Sequence, residues 1–341
     1  MHALIQLLLT LGSATTSLTG VELYSNSTVH YGRWETRMKA AATPGSVSSF
    51  FTYNNNSYLD SPNPWREIDI EVLGKNGKAF QSNLITGTAS SKSTSEVIHS
   101  FAADISQTYH TYTLDWTPDS VVWRLDGTLL RKTAAPDQQV VDLRDSTETW
   151  RMNLWASNSA GWVGTLDVSK LPILQIVHWM RYSAYTPGSG PNGSNFTLSW
   201  IDSFSTLNRT RWSLGDWTFD GNLATFSATN AKVQDKHLLL MLSTNATAGQ
   251  FPSTFPHDSV GPTGIQEVRR SSVNSLTSER SGIWSSSLST PLLEAYDSRG
   301  HLVARGTPTQ QGQILDLRGT PRGVALVRQG ALASWKILPV E

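Results

Sequence analysis

Alternation of apolar and polar residues with a period of two dominates this chain of 341 residues, and helical periodicity is nearly absent. Successive side chains of a strand point to opposite sides of a sheet, so each alternating run predicts a half-buried strand. Asp126-Gly127 separates two runs and predicts a hairpin. We interpret the apolar segment 171–182 as a further strand. Many short strands at this spacing predict an all-β sandwich or barrel. The alternating runs are 32–40, 48–53, 67–72, 80–86, 110–116, 121–127, 150–156 and 196–204.

Composition limits the classes of ligand that suit this chain. Lys plus Arg and Asp plus Glu both number 27, so the formal net charge is zero and gives no electrostatic reason for binding nucleic acid or an anionic membrane. The 13 Trp, together with abundant Ser, Thr and Asn, favour a neutral, hydroxyl-rich ligand. The chain has no cysteine, which excludes disulfides, thiolate metal sites and cysteine nucleophiles.

Changes in composition and in hydrophobic pattern along the sequence predict four segments. Residues 1–19 contain an apolar run followed by small residues, which indicates a signal peptide and a secreted, extracellular or cell-surface protein. Residues 20–245 hold most of the alternating runs and form the predicted main domain. Residues 246–280 are rich in Pro, Gly, Ser and Thr and read as a linker. Alternation returns in 281–341, which predicts a small all-β module.

Three carboxylates occupy every second position of the segment WREIDIEVLGK (65–75). Glu67, Asp69 and Glu71 would share one face of a strand, with Ile68 and Ile70 on the other. A merely half-exposed acidic strand is the simpler alternative, but adjacent like charges destabilise a sheet. Retaining glycoside hydrolysis needs two neighbouring carboxyl groups, one as nucleophile and one as general acid and base. The middle carboxyl group would raise the pKa of the acid partner.

This segment, together with YGRWETRMKAAATPGSVSSFFTY, HTYTLDWTPDSVVWRLDG and RMNLWAS, resembles glycoside hydrolase family 16 and its lichenases, the endo-1,3-1,4-β-D-glucanases. The resemblance runs from about Gly20 to Leu242. It implies a β-jelly-roll sandwich of the concanavalin-like type with a carbohydrate cleft on its concave face. It also implies that Glu67 is the nucleophile, Glu71 the acid/base and Asp69 the assisting carboxylate.

The same resemblance implies a set of substrate-binding residues. Stacking of sugars on aromatic faces, combined with planar polar groups, is a physically reasonable way to bind neutral polysaccharide. Each aromatic residue taken alone is more often part of a core. The expected substrate-binding residues are Phe51, Tyr53, Asn55, Trp65, Gln81, Asn83, Arg151, Asn153, Trp155, Asp216 and Trp217.

The order of the motifs is unusual. A Trp-rich pattern that precedes the YG.WE.RMK strand in the usual lichenase comes here at 209–242, after the catalytic strand, so the chain resembles the naturally circularly permuted lichenases. Trp217 then takes the position of a cleft indole, with a core role as the alternative. The side-chain position of the structural calcium found in this family is His178, a poor ligand for a hard cation. Calcium is therefore doubtful, and no cofactor is required.

The C-terminal module resembles the sorting modules of proteins exported by the type IX route, with a carbohydrate-binding module as the alternative. The expected partners are thus a neutral β-glucan and secretion machinery, without nucleic acid or a membrane anchor. The expected function is a secreted endo-β-glucanase (licheninase) that cleaves β-1,4 bonds of mixed-linkage 1,3-1,4-β-D-glucan with retention. A laminarinase or another family 16 specificity, and a non-catalytic glucan-binding sandwich, are the alternatives.

Overall fold

The computed structural model describes residues 17–261 and, beyond them, the backbone of eight strands between 276 and 340. Most of the predicted signal peptide lies outside the described residues. The chain divides into two compact units, one reaching Tyr182 and resuming over Asp202–Thr254, the other comprising Ser183–Ile201 and the chain from Phe255 onward. The proposed domain limits at 20–245, 246–280 and 281–341 stay predictions.

Strands are the main regular structure of residues 17–261, and the longest regular helix there has five residues. Within this part of the chain no helix is long and apolar enough to cross a membrane. The strands are β1 (Leu18–Ser25), β2 (Gly32–Lys39), β3 (Ser46–Tyr53), β4 (Glu67–Leu73), β5 (Ala79–Thr88), β6 (Ser91–Thr94), β7 (Val97–Ser100), β8 (His110–Thr117), β9 (Ser120–Leu125), β10 (Thr128–Ala134), β11 (Thr149–Ala156), β12 (Ile173–Tyr185), β13 (Phe196–Asp202), β14 (Trp212–Leu214), β15 (Ala224–Phe226), β16 (Ala231–Gln234) and β17 (His237–Thr244). The helices are α1 (Gln138–Asp142) and α2 (Ala160–Val163), with 3-10 turns at Ser57–Leu59, Leu143–Asp145, Val168–Lys170, Pro191–Gly193, Ala228–Asn230 and Asn245–Thr247.

Two layers of antiparallel strands form the first unit. The front sheet has the order β14–β1–β11–β3–β4–β5, with β6 and β7 both paired to β5. The back sheet has the order β10–β9–β8–β2–β12–β17–β16. β1 also pairs with β15 and β17, so it belongs to both layers. The predicted all-β sandwich is confirmed.

Large aromatic side chains fill the space between the two sheets. Trp34 of the back sheet packs edge-on against Trp150 of the front sheet at 6.3 Å between ring centroids. Trp150 also contacts Phe50 at 5.1 Å and Trp212 at 6.2 Å. All four side chains are at most 1% exposed. Their burial removes apolar surface from water, which is the main driving force for closing the sandwich.

The predicted hairpin at Asp126-Gly127 joins β9 to β10, with Leu125 paired to Thr128. Both turn residues have positive φ, 48° and 80°, as this two-residue turn requires. The apolar segment 171–182 is a strand, as interpreted, and extends to Tyr185 as β12.

The chain beyond residue 275 is also made of strands, in agreement with its predicted all-β character. They form two four-stranded sheets. The strands are β18 (Leu276–Glu279), β19 (Gly282–Ser285), β20 (Leu293–Tyr296), β21 (Leu302–Arg305), β22 (Thr307–Thr309), β23 (Gly312–Asp316), β24 (Gly323–Gln329) and β25 (Lys336–Val340).

Candidate active site

The three carboxylates of β4 lie on the outer face of the front sheet. Ile68, Ile70 and Val72, which alternate with them, are fully buried on the inner face against the back sheet. Cα partners on neighbouring antiparallel strands share a face, so the registers extend this carboxylate face sideways. Glu67 pairs with Tyr53, Asp69 with Phe51 and Asn83, and Glu71 with Ser49 and Gln81. The rows continue to Arg151 and Asn153 on β11 and then to Tyr24 and Glu22 on β1.

Glu67 is surrounded by donors and cations. The Trp65 indole Nε1 donates a 2.7 Å hydrogen bond to Glu67 Oε2. The pKa of Glu67 lies above its ordinary value because burial outweighs the hydrogen bonds from Trp65 and Asp69 and the charges of Lys92 and Arg151, which lower it. These groups stabilise the ionised carboxylate, the form that a nucleophile requires.

Asp69 lies between the two glutamates and is 3% exposed. Burial and then the negative charges of Glu67 and Glu71 raise the pKa of Asp69 well above its ordinary value. The raised pKa favours the protonated form of Asp69, which donates a hydrogen bond to Glu67. This arrangement spares the strand three adjacent negative charges, which explains how it tolerates the acidic pattern.

Glu71 has fewer stabilising partners than Glu67. Burial and the charge of Glu67 raise the pKa of Glu71 to about 8. Its hydrogen-bond donor is Gln81, whose Nε2 lies 3.0 Å from Glu71 Oε2. The Trp162 indole donates to Gln81 Oε1 at 3.2 Å, which turns the amide N–H group of Gln81 toward Glu71. A carboxyl group that keeps its proton at neutral pH suits the role of general acid.

Arg151 organises the side of the site formed by β11 and β1. It forms an ion pair with the buried Glu22, and its Nη2 donates to Asn55 Oδ1 at 2.7 Å. Asn153 Nδ2 donates to the other oxygen of Glu22 at 3.1 Å. Three aromatic rings lie close to the guanidinium carbon, at 5.3, 4.9 and 5.9 Å from it: Tyr24, Tyr53 and Trp217.

Aromatic side chains also border the site beyond Glu71. Trp155 contacts Trp162 at 6.0 Å and Phe219 at 4.9 Å between ring centroids. Trp155 is 8% exposed and Phe219 is 40% exposed. Trp217 lies 5.4 Å from Tyr24. Trp155 belongs to a buried apolar cluster, so the partly buried indoles packed against it and the exposed Phe219 ring are the faces that can bind the apolar faces of sugar rings.

Some expected residues stand apart from this cluster. Asn83 pairs with Asp69, but its Oδ1 already accepts a hydrogen bond from the Ser95 amide at 3.0 Å. Asp216 is exposed, and its place in the cleft stays a prediction. His178 stacks on His237 at 4.6 Å, and the described residues contain no group of three or more His, Asp or Glu placed to hold a metal. Imidazole is a poor ligand for a hard cation, and a calcium site built mainly from carbonyl groups stays a prediction.

The structure adds residues that the sequence reasoning missed. Glu22 and Tyr24 alternate on β1. The alternation is visible in the segment VELYS, but no local motif there indicates a role in the site. Trp162 sits in the short helix α2, and Lys92 in β6 contacts the Trp65 ring. Each of these four residues contacts a site residue that is distant from it in the sequence.

One further carboxyl group lies behind the site. Glu148 is fully buried, and neither of its oxygens has a partner with full hydrogen-bond geometry among the described residues. Burial raises the pKa of Glu148 to about 8, the Thr52 hydroxyl lowers it in part, and the charge of Glu67 raises it further. A buried carboxyl group in this state is held mainly protonated at neutral pH.

A two-layer sandwich whose outer face carries paired carboxylates, amides and indoles defines a carbohydrate-active β-sandwich protein. The profile of Glycosyl hydrolases family 16 matches residues 5–170. The chain is 47% identical over 235 residues to a "Beta-glucanase" of Fibrobacter succinogenes, which covers 69% of this chain and 66% of that protein. The chain belongs to glycosyl hydrolase family 16.

Two further comparisons cover a shorter part of the chain. A "Beta-glucanase" of Bacillus licheniformis is 38% identical over 162 residues, 47% of this chain and 60% of that protein. The solved structure of a Bacillus licheniformis β-glucanase is 33% identical, with a TM-score of 0.40, over 47% of this chain and 70% of that one. The chain spans 66% or less of the length of these curated relatives.

Proposed function

We propose that this protein is an endo-β-glucanase that cleaves β-1,4 bonds of mixed-linkage 1,3-1,4-β-D-glucan with retention of configuration. The observation that carries the proposal is the contrast between two carboxyl groups on one face of β4. Glu67 has two hydrogen-bond donors and two nearby cations, whereas Glu71 is held protonated by a pKa of about 8. The donors and cations around Glu67 indicate the nucleophile, and the raised pKa of Glu71 indicates the acid.

In the first step, a carboxylate oxygen of Glu67 attacks the anomeric carbon. The proton of Glu71 passes to the glycosidic oxygen as the bond between that oxygen and the anomeric carbon breaks. In the second step, water gives a proton to Glu71 and attacks the same carbon, and the bond to Glu67 breaks. Asp69 stabilises the Glu67 carboxylate by its hydrogen bond.

The substrate class rests on the chemistry of the site and on the names of the relatives. The polar groups around the carboxylates are amides, hydroxyls and two cations. Arg151 is paired with Glu22 and Lys92 lies on the Trp65 ring, so the site suits a neutral polysaccharide. The curated relatives are named beta-glucanases. The uninterrupted EIDIE segment favours the mixed-linkage specificity over the 1,3-specific one.

We also propose that the chain is circularly permuted. The late strands β14, β15 and β17 all pair with β1, and the amide of Asn245 donates to Ser17 O at 2.9 Å. The two ends of the first unit are therefore neighbours, so moving the termini costs little. The longer match to the Fibrobacter protein, 235 against 162 residues, supports a shared segment order. Export through the N-terminal segment and a sorting role of the C-terminal module are proposals from sequence alone.

The test is release of reducing ends from barley β-glucan, with laminarin and carboxymethylcellulose in parallel. We expect turnover on barley β-glucan only, and loss of about 10²-fold or more in Glu67→Gln and in Glu71→Gln. Azide added to Glu67→Ala should give a glycosyl azide of inverted configuration. Azide then attacks the anomeric carbon directly, so one displacement replaces the two of the wild-type reaction. Turnover of laminarin alone would assign the 1,3 specificity. Binding without turnover would assign a non-catalytic glucan-binding protein.

A further inference from the structure

Lys92 covers the face of an indole beside the proposed nucleophile. Its Nζ lies 3.4 Å from the centroid of the Trp65 ring, within the range of a strong cation–π contact. The same indole donates from Nε1 to Glu67 Oε2 at 2.7 Å. The side chains therefore form a continuous chain of contacts: ammonium, indole, carboxylate.

The sheet register explains how Lys92 reaches this ring. Gly87 on β5 pairs with Lys92 on β6, and Gly87 O accepts the hydrogen bond from the Trp65 amide at 2.7 Å. Gly87 thus lies between Trp65 and Lys92 across the sheet and carries no side chain. Its φ of 96° and the Ser91 O, 2.2 Å from where a Cβ would stand, both disfavour any other residue. The lysine side chain can cross this gap and lie on the indole.

The charges around Glu67 come from several elements. The positive charges of Lys92 and Arg151 favour ionisation of Glu67, and the hydrogen bonds from Trp65 and Asp69 favour it too, whereas burial opposes it. Lys92 is exposed, so its effect is screened by salt. The ionisable or charged groups facing or influencing Glu67 are Tyr53 on β3, Asp69 and Glu71 on β4, Lys92 on β6, Glu148 before β11, Arg151 on β11 and Glu22 on β1.

We propose that Lys92 is a positioning residue, which holds the Trp65 indole in the orientation that donates to Glu67 and places a positive charge beside that carboxylate. The proposal rests on the proposed function of Glu67 as nucleophile. Lys92 also occupies one face of the indole, so a sugar can stack only on the opposite face. The lysine thus contributes to the shape of the site where the bond is cleaved.

The test is the pH profile of kcat/KM on barley β-glucan at low and high salt. In Lys92→Met, we expect the acidic limb, where Glu67 loses its proton, to move upward by about 0.2 to 0.7 pH unit at low salt, the range expected for an exposed charge pair. High salt should reduce the difference between wild type and variant. Lys92→Arg keeps the charge and the cation–π contact and should restore the wild-type profile. Lys78→Met removes an exposed lysine that is not among the charges acting on Glu67 and should leave the acidic limb unchanged.

The outcomes separate this proposal from the proposed function. Absence of glucanase turnover in the wild-type protein would refute the proposed function. An active wild type combined with an unchanged acidic limb in Lys92→Met would overturn the role of Lys92. A rise in KM with no change in either limb would also overturn it and would assign Lys92 to substrate binding. An equal shift in Lys78→Met would show that net charge alone is responsible.

Discussion

Replacement of Glu148 by glutamine should make the protein more stable in base. The folded protein holds the Glu148 proton more tightly than the unfolded chain does, because burial raises the pKa from 4.5 to about 8. The stability that this group contributes is therefore fully present below pH 4.5 and is lost as the pH rises through about 8. Glutamine has nearly the shape of the protonated acid and does not ionise, so it removes this loss.

The size of the effect follows from the two pKa values. One pKa unit corresponds to about 1.4 kcal/mol, so the interval between 4.5 and about 8 amounts to about 5 kcal/mol at a pH well above both. No solvent screening reduces this figure, since Glu148 is 0% exposed. At pH 4 the wild type and Glu148→Gln should differ by less than about 1 kcal/mol, because both side chains are then mostly neutral.

Denaturant unfolding of the full chain, followed by tryptophan fluorescence between pH 4 and pH 9.5, measures this difference. All Trp except Trp284 and Trp335 lie in residues 34–217, so the signal reports mainly on the sandwich. Glu96→Gln, at an exposed glutamate, controls for the loss of one negative charge. A stability difference that is independent of pH, or that favours the wild type above pH 8, would refute the reasoning.

Three other predictions follow from the contacts of the site. The basic limb of the kcat/KM profile should fall near pH 8, where Glu71 loses the proton it must donate; activity constant up to pH 10 would contradict this. Trp162→Phe keeps an aromatic ring but removes the donor to Gln81, so kcat/KM should fall about 2- to 12-fold with unchanged stability. Arg151→Met should lower the free energy of unfolding by about 3 kcal/mol at pH 7, because Glu22 loses its buried partner. The double variant Glu22→Gln with Arg151→Met should recover part of this loss, and additive effects would disprove the pairing.

The alternation of EIDIEV was sufficient to predict a strand with its carboxylates on one face and its aliphatic residues on the other. Both faces follow from the geometry of an extended backbone, which needs no knowledge of distant neighbours. The Asp126-Gly127 hairpin was predictable for a similar reason, since its turn depends on the backbone preferences of two residues. The pairing of Phe51 and Tyr53 with the catalytic strand was expected only through the family resemblance.

Other features were beyond the reach of the sequence because they join distant segments. Glu22 meets Arg151 across 129 positions, and Lys92 reaches Trp65 only because the β5–β6 hairpin places Gly87 between them. Glu148 stands in a short polar segment that looks exposed, yet the sandwich buries it completely. No local sequence pattern indicates this burial, because it depends on which strands pack around the residue in the folded protein.

The sequence alone thus determined the class of fold, the two-faced character of the catalytic strand and the identity of its three carboxylates. Those properties depend on periodicity and on residue type, which are local. The tertiary structure decided which carboxyl group keeps its proton, because that outcome depends on burial and on the charges of Lys92 on β6 and Arg151 on β11. Protonation state is a property of the surrounding field, and only the folded chain assembles that field.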